Sequence, residues 1–482
     1  MWIQNSYSNL SLPGPAAQTQ GTSMTEPGLS RTEKLSYGLG DLASNLSWNL
    51  ISGFLLFFYV NVALIPVAMA GTLILVSMVL SACLDPVFGV IVDRTRSRFG
   101  KARPYLLYGS IPLGVASFLL FLSPLHSVAG KVFYAYVTLI VVELLYASVN
   151  IPYGTLMPLM TRQANEKMQL SSLRTVGSSV GTFMATGLTI PIVALFGSDR
   201  QKGFACVGAV FATTMSILFL VVFKNCKERY QDPFSQQKGV LGKAFRNLAG
   251  NRSWRVTFIF GLLMLMRLGA LISATAFFCI QVLHEPKLIS VLLPILSATS
   301  LCIAPLTPAY FRRTGIRNGI ILVLAASIAL FAILPLVEGN LWAFLAVYTA
   351  AATLSVGPCT TAIYAMAANS VDHQQWLYGM RNDGLVYSSV SIATKIGIAV
   401  GASLVAYSLA WAGFDALHPS NSAAGAIRAV YYGAPIVIMV LQIACISFYN
   451  LDRLHPQIVA DLNARSTLAT PAKLSTVEAE SN

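Results

Sequence analysis

The chain has 482 residues, of which 55% are hydrophobic and only 11% are charged, and its formal net charge is +13. Soluble domains contain about 25% charged residues, so the composition excludes an ordinary soluble protein and indicates a membrane-embedded one. The excess Lys and Arg residues lie between apolar segments, where they set topology and face anionic lipid. Nucleic acid is therefore not expected as a partner.

The amino terminus is polar rather than apolar. Residues 1–30 are rich in Ser, Gln, Gly and Pro and lack the apolar core of a cleavable signal peptide. A disordered tail is expected there. Met24 opens the stretch MTEPGLSRTEK, and we expect it to be the physiological start.

Twelve apolar segments follow, each able to cross the hydrocarbon core as a helix of about 20 residues. They predict an all-α membrane protein of two six-helix bundles. The predicted spans are near 38–62, 66–92, 104–123, 132–158, 171–196, 203–223, 254–283, 288–310, 318–337, 341–368, 383–410 and 429–450. The predicted organisation is a cytoplasmic tail (1–33), a first bundle (34–223), a cytoplasmic linker (224–252), a second bundle (253–450) and a cytoplasmic tail (451–482).

The loop between the second and third spans is strongly basic. It lies within the stretch LDPVFGVIVDRTRSRFGKARP, and its basic residues are Arg94, Arg96, Arg98, Lys101 and Arg103. Lys and Arg accumulate in short cytoplasmic loops, so both termini are predicted to be cytoplasmic. A basic turn, RRTGIR, recurs after the eighth span. Such internal symmetry is typical of transporters whose substrate binds between two repeats.

Several ionisable residues fall inside the predicted spans. Each costs about 2.5–3.5 kcal/mol at the bilayer centre on insertion scales, so these side chains are expected to face a polar cavity or one another. Structural ion pairing, or snorkelling of the side chain near a helix end, is the alternative interpretation for each. The residues are Asp41, Asp85, Glu143, Arg174, Arg267 and Lys395.

One helical face combines an acid with an amide. Glu143 and Asn150 are seven residues apart, which places them two turns apart on the same face. Pro152 removes a backbone donor just beyond and is expected to loosen the helix. This combination suits a site for protons and hydroxyl-rich solutes.

The seven cysteines include no CxxC pair and no Cys/His spacing suited to zinc. They are interpreted as packing residues, so no metal site, redox role or cofactor is expected.

Four stretches resemble a known transporter family. They are KLSYGLGDLASN, LDPVFGVIVDRTRSRFGKARP, VNIPYGTLMPLMT and WLYGMRNDGLVYSSVSIATKIG. They are similar to the glycoside–pentoside–hexuronide:cation symporters of the major facilitator superfamily, and closer to its glucuronide and sulphosugar carriers than to the melibiose permeases. The resemblance implies twelve helices in two six-helix bundles, alternating access, and a sugar driven inward by a cation.

The resemblance also implies roles for individual residues. Asn45 and Asn150 stand where melibiose-type members hold the sugar with acids. Arg174 and Lys395 match the family's helix-five arginine and helix-eleven lysine, so all four are expected to bind substrate. Asp85, together with Glu143, is expected to couple the cation.

Departures from the family pattern bear on the cation and on the gate. Ser81 and Leu84 replace an acid and an asparagine of the sodium site, which favours proton over sodium coupling, because one buried carboxylate can carry a proton. Asp93 and the basic loop, together with Arg381 and Asp383, are expected to gate the cytoplasmic side or to set topology.

The expected function is proton-coupled import of an anionic sugar, such as a hexuronide or glucuronide, across the bacterial inner membrane. The reason is that the retained cations would leave the cavity net positive, and a guanidinium suits a carboxylate. A neutral glycoside or pentoside carrier, sodium-coupled or uncoupled, is the alternative. A membrane-embedded enzyme or a sensor is disfavoured, since the GSSVG stretch at 177–181 lies in an apolar span without a histidine partner. The exact sugar, the transport direction and the oligomeric state stay open.

Overall fold

The computed structural model describes residues 28–161, 163–230, 241–303, 306–379, 383–414, 421–458 and 460–462. The tail segment 1–27, including Met24, lies outside these ranges. The α-helices within them are α1 (Arg31–Asn61), α2 (Val67–Arg94), α3 (Arg103–Leu120), α4 (Val128–Met160), α5 (Ala164–Ala194), α6 (Arg200–Asn225), α7 (Leu241–Gly250), α8 (Arg252–Gln281), α9 (Ile289–Ile303), α10 (Thr307–Thr314), α11 (Ile316–Val337), α12 (Leu341–Tyr378), α13 (Asp383–Trp411), α14 (Asn421–Arg428) and α15 (Ala434–Ile446). A π-helical turn, Ala429–Gly433, joins the last two.

Ten helical segments of the described chain are long and apolar enough to cross a membrane. Two of the twelve predicted spans are not among them. The span near 104–123 corresponds to α3, which has 18 residues, and the span near 288–310 corresponds to α9, which has 15 residues and is followed by α10. The chain is therefore a multi-pass helical membrane protein.

Helix α1 begins seven residues before the predicted span, because its first turn is capped. The Ser30 hydroxyl accepts the Glu33 N–H at 3.2 Å, and the Glu33 carboxylate accepts the Ser30 N–H at 2.9 Å. This reciprocal capping box satisfies two backbone donors that a helix start leaves free. The first helix therefore extends into the segment expected to be tail.

Prolines inside α4 and α12 do not interrupt these two helices. Helix α4 continues through Pro152 and Pro158, and α12 continues through Pro358. Helix α4 is therefore continuous at Pro152, and the expected loosening of the helix there stays a prediction.

Glycines bring α1 and α5 into close contact. A Cβ atom on Gly177 would lie 2.1 Å from the Gly38 carbonyl oxygen, and one on Gly181 would lie 2.6 Å from the Leu42 carbonyl oxygen. Only glycine allows two backbones to approach this closely. The GSSVG stretch is thus part of a helix–helix contact inside α5, which is not the strand-to-helix turn of a hydrolase.

The helices before the linker contact those after it mainly through α2 with α13, α5 with α9 and α1 with α8. Near the end at which α1 stops and α2 starts, the Thr72 and Tyr407 hydroxyls lie 2.7 Å apart. At the same end, the rings of Phe57 and Phe277 meet edge to face at 5.8 Å. The two halves are thus in contact at the end that the predicted topology places outside the cell.

Candidate substrate and cation site

Arg174 of α5 forms an ion pair with Asp41 of α1. Its Nε and Nη2 atoms donate to the two carboxylate oxygens, the second at 3.2 Å. The Tyr153 hydroxyl of α4 donates to Asp41 Oδ2 at 2.9 Å. The guanidinium carbon lies 5.2 Å from the centre of the Tyr153 ring and 5.9 Å from that of Tyr37. The charge of Arg174 is therefore already compensated by a carboxylate and two aromatic faces.

Asn45 lies one turn after Asp41 and extends this polar face of α1. Its side-chain amide donates to the Asp41 carbonyl at 2.8 Å. The Asn49 amide, a further turn along, donates to Asn45 Oδ1 at 3.2 Å and to the Thr182 hydroxyl of α5 at 3.0 Å. Asn45 and Asn49 are both half-buried. A row of half-buried amides is suited to sugar hydroxyls, which both donate and accept hydrogen bonds.

Asn150 of α4 reaches α1 through a different residue. The Ser44 hydroxyl donates to Asn150 Oδ1 at 3.0 Å. Asn150 thus lies against α1, as Asn45 does, although no hydrogen bond between the two asparagines is found in the described structure.

Lys395 of α13 pairs with Asp85 of α2. Its ammonium nitrogen lies 2.8 Å from both carboxylate oxygens of Asp85 and 2.9 Å from the Ser81 hydroxyl. Only 10% of the Lys395 side chain and 18% of the Asp85 side chain are exposed. This buried ion pair therefore ties a helix of the first half to a helix of the second.

Glu143 of α4 is the second carboxylate of this cluster. Its side chain is 2% exposed, and its Oε2 atom has no hydrogen-bond partner in the described structure. It interacts electrostatically with Lys395 and Asp85. The cluster thus holds two carboxylates and one ammonium, so a single proton makes it neutral. Burying a carboxylate oxygen without a hydrogen-bond partner costs free energy. The cost is smaller when the carboxyl group is protonated and neutral, or when the oxygen gains a partner.

These pairings change the expected charge of the cavity. Arg174 and Lys395 each have a carboxylate partner, and Arg267 is 1% exposed inside the second half. These pairings do not support the predicted excess of positive charge in the cavity, which stays a prediction. Sequence reasoning placed Lys395 with the substrate residues, whereas its described contacts are with the cation residues.

The basic loop is held in place by the start of the linker. Glu228 accepts the backbone N–H groups of Lys101, Ala102 and Arg103 at 2.8, 2.8 and 3.1 Å. A carboxylate at the start of α3 is also stabilised by the helix dipole. The Arg103 guanidinium donates to the Phe223 carbonyl at 2.7 Å and stacks on the Phe223 ring. Arg103 therefore packs against the end of α6, in addition to its predicted role in setting the topology.

The other predicted gate residues either are exposed or lie wholly or partly outside the described structure. Arg94, Arg96 and Arg98 are exposed, with Arg98 over the ring of Phe99. Asp93 lies in α2 and Asp383 starts α13, but their side chains, like the whole of Arg381, lie outside the described structure.

Sequence reasoning did not select Asn49, Thr182 or Tyr153. The spacing of Asp41, Asn45 and Asn49, four residues apart each time, is a signal that could have found Asn49, because it puts all three on one helical face. Thr182 and Tyr153 reach the site from α5 and α4, and their proximity depends on tertiary packing.

Comparison with known proteins defines the family. The model of the family described as MFS/sugar transport protein matches residues 36–453. The chain belongs to this family. It is therefore a transporter and not an enzyme, and relatives with symporter names place it among the sugar or glycoside symporters of the major facilitator superfamily.

Two relatives and one solved structure illustrate the likeness. The isoprimeverose transporter of Lactiplantibacillus pentosus is 32% identical over 446 residues, which cover 90% of this chain and 91% of the relative. The glucuronide carrier protein homolog of Escherichia coli (strain K12) is 30% identical over 439 residues, covering 89% and 95%. The fold is similar to that of a bacterial homolog of the human lysosomal transporter Spinster, inward-facing and unoccupied, with a TM-score of 0.66, 15% identity and coverage of 89% and 99%.

Proposed function

We propose that the protein imports a neutral glycoside together with a proton by alternating access. The observation that carries this proposal is the buried cluster of Lys395, Asp85, Ser81 and Glu143, which spans the two halves of the chain. A proton bound to Glu143 balances the second carboxylate of the cluster. Release of this proton leaves a buried negative charge on Glu143. This charge favours a rearrangement of the Lys395–Asp85 pair, which moves α2 relative to α13.

Proton coupling is preferred to sodium coupling because of where the Lys395 ammonium lies. It contacts both Asp85 and Ser81, two of the oxygen-bearing side chains that α2 could offer to a sodium ion. Sodium would have to displace this ammonium and find several more hard oxygen ligands. A proton on Glu143 needs neither change, so the described contacts favour a proton.

A neutral substrate is preferred because the two cations expected to face it are paired. In this proposal Asn45 and Asn150 bind sugar hydroxyls. Arg174 stays paired with Asp41, and its half-buried guanidinium borders the sugar site. Isoprimeverose, a neutral disaccharide, is the first substrate to test, because the protein from Lactiplantibacillus pentosus is named for it.

An anionic sugar is the second candidate. The Arg174 side chain is 30% exposed, compared with 13% for Asp41, so a substrate carboxylate could approach it. That carboxylate would have to compete with Asp41 for the same donors. The glucuronide carrier homolog supplies the matching test substrate.

The proposed topology retains twelve spans in two six-helix bundles, at 34–223 and 253–450, in a bacterial inner membrane. Both termini, the tails 1–33 and 451–482 and the linker 224–252 lie in the cytoplasm, because the basic residues concentrate on that side. The contacts near Thr72 and Tyr407 then close the external side. Asp93, the basic loop, Arg381 and Asp383 form the cytoplasmic gate in this proposal.

Uptake of labelled isoprimeverose into cells tests the coupling. We expect uptake to change little when choline replaces sodium, and to fall when a protonophore is added. Asp85→Asn should abolish accumulation against a gradient while leaving exchange, because it removes the negative charge that holds the Lys395 ammonium. A steep sodium dependence in the wild type would contradict proton coupling.

A further inference from the structure

Arg267 of α8 is buried inside the second half, and its described hydrogen bonds go to residues outside the cluster described above. Its side chain is 1% exposed and is among the largest fully buried side chains of the described chain. Nε donates to Gln442 Oε1 at 3.1 Å, and Nη2 donates to the Ser355 carbonyl at 2.8 Å. Arg267 therefore joins α8 to α15 and α12.

The guanidinium has no carboxylate partner among the described residues. Its two described hydrogen-bond acceptors, the Gln442 amide oxygen and the Ser355 carbonyl oxygen, are both uncharged. Arginine stays charged in proteins, and burying one unpaired charge costs several kcal/mol even after the protein relaxes. Arg174 and Lys395 avoid this cost through Asp41 and Asp85. Arg267 needs another source of negative charge.

Three buried polar atoms of these residues lack hydrogen-bond partners in the part of the chain that the structure describes. They are Arg267 Nη1, Gln442 Nε2 and Ser355 Oγ, and Gln442 and Ser355 are both 0% exposed. Flipping the Gln442 side-chain amide by 180° would not satisfy these atoms. A guanidinium only donates, so the amide oxygen must face Nε, and the NH₂ group is left to donate elsewhere.

Each of the three orphan atoms can donate a hydrogen bond, and two of them can do nothing else. A water molecule accepts at most two hydrogen bonds and brings no charge. A small anion accepts from several donors and also neutralises the guanidinium. An unpaired buried cation whose unsatisfied neighbours can all donate therefore favours an anion over water.

We propose that Arg267, Gln442 and Ser355 form a binding site for a small monovalent anion, with chloride as the probe. The ion lies among α8, α12 and α15 and fixes these helices against one another. The site is separate from the proposed proton and sugar residues, and its test requires no transport.

Thermal unfolding of the purified full chain in detergent tests the site. Sodium chloride is compared with sodium gluconate at equal ionic strength, because gluconate is too large for a buried site. Chloride at a hundred times its dissociation constant should raise Tm by roughly 2–5 °C, with saturation. The wild type should also retain ³⁶Cl⁻ in a binding assay.

Gln442→Glu supplies a built-in carboxylate next to Arg267. This variant should have the same Tm in both salts and should retain no ³⁶Cl⁻. The matched control is Arg428→Gln, which removes an arginine already paired with Glu338 at 2.6 Å and should keep the full chloride response. Equal wild-type Tm values in the two salts without ³⁶Cl⁻ retention would mean that water fills the site, and would overturn the proposal. A chloride response that persists in Gln442→Glu would also overturn it.

Discussion

Asp41→Asn is expected to change which sugars the protein prefers. The substitution keeps the shape of the side chain but removes the charge that Arg174 binds through Nε and Nη2. Arg174 then has an uncompensated positive charge and at least one donor available for a carboxylate on the substrate, because an amide offers one acceptor oxygen in place of two. A hydrogen bond to a charged group contributes about 1.5–3 kcal/mol, so a glucuronide should gain affinity by about 10-fold to 150-fold.

The assay is competition of glucuronide and isoprimeverose against a labelled glycoside, in the wild type and in Asp41→Asn. Isoprimeverose should change much less than glucuronide, because its hydroxyls need no counter-charge. The control is Asp199→Asn, which removes a carboxylate from an exposed pair with Lys202 outside the site and should leave both affinities unchanged. Tighter binding of glucuronide than of isoprimeverose by the wild type, with a loss of glucuronide binding in Asp41→Asn, would refute the neutral-substrate proposal.

Two further predictions concern the ends and the linker of the chain. A protein that starts at Met24 should insert and transport as the full chain does, because residues 1–23 have no apolar face; failure to reach the membrane would show a role for this segment. Glu228→Gln should lower Tm by a few degrees, because it removes the negative charge that accepts three backbone N–H groups at the start of α3. Glu285→Gln, at an exposed acid, is the control for thermal unfolding in detergent, and equal Tm values for the two variants would contradict the role given to Glu228.

Much of the fold follows from local properties of the sequence. Apolar length and basic loops predict the helices because each span must satisfy its backbone hydrogen bonds internally. The ends of helices are harder to predict than their cores. Helix α1 starts at Arg31 because of the capping box of Ser30 and Glu33, which lies outside the apolar run. Among the described residues, α9 (Ile289–Ile303) and α10 (Thr307–Thr314) together cover most of the single span predicted near 288–310.

The site follows from the sequence only in part. The cost of burying charge predicts that the intramembrane acids and bases meet partners or a cavity, and Asp85 with Lys395 and Asp41 with Arg174 do pair. Which acid meets which base depends on how the helices pack. Arg174 reaches Asp41 because Gly177 lets α5 approach α1 closely, and this contact is not visible in the composition of either helix alone.

Sugar-driven proton movement in proteoliposomes tests the central proposal most directly. The purified protein is reconstituted with a pH-sensitive dye inside, and isoprimeverose is added outside without a sodium gradient. The wild type should acidify the interior as sugar enters, whereas Glu143→Gln should carry sugar down its gradient without moving protons, because an amide cannot bind and release one. Sugar entry in the wild type without acidification, accompanied instead by entry of ²²Na⁺, would contradict the proposed role of Glu143 and the Lys395–Asp85 pair.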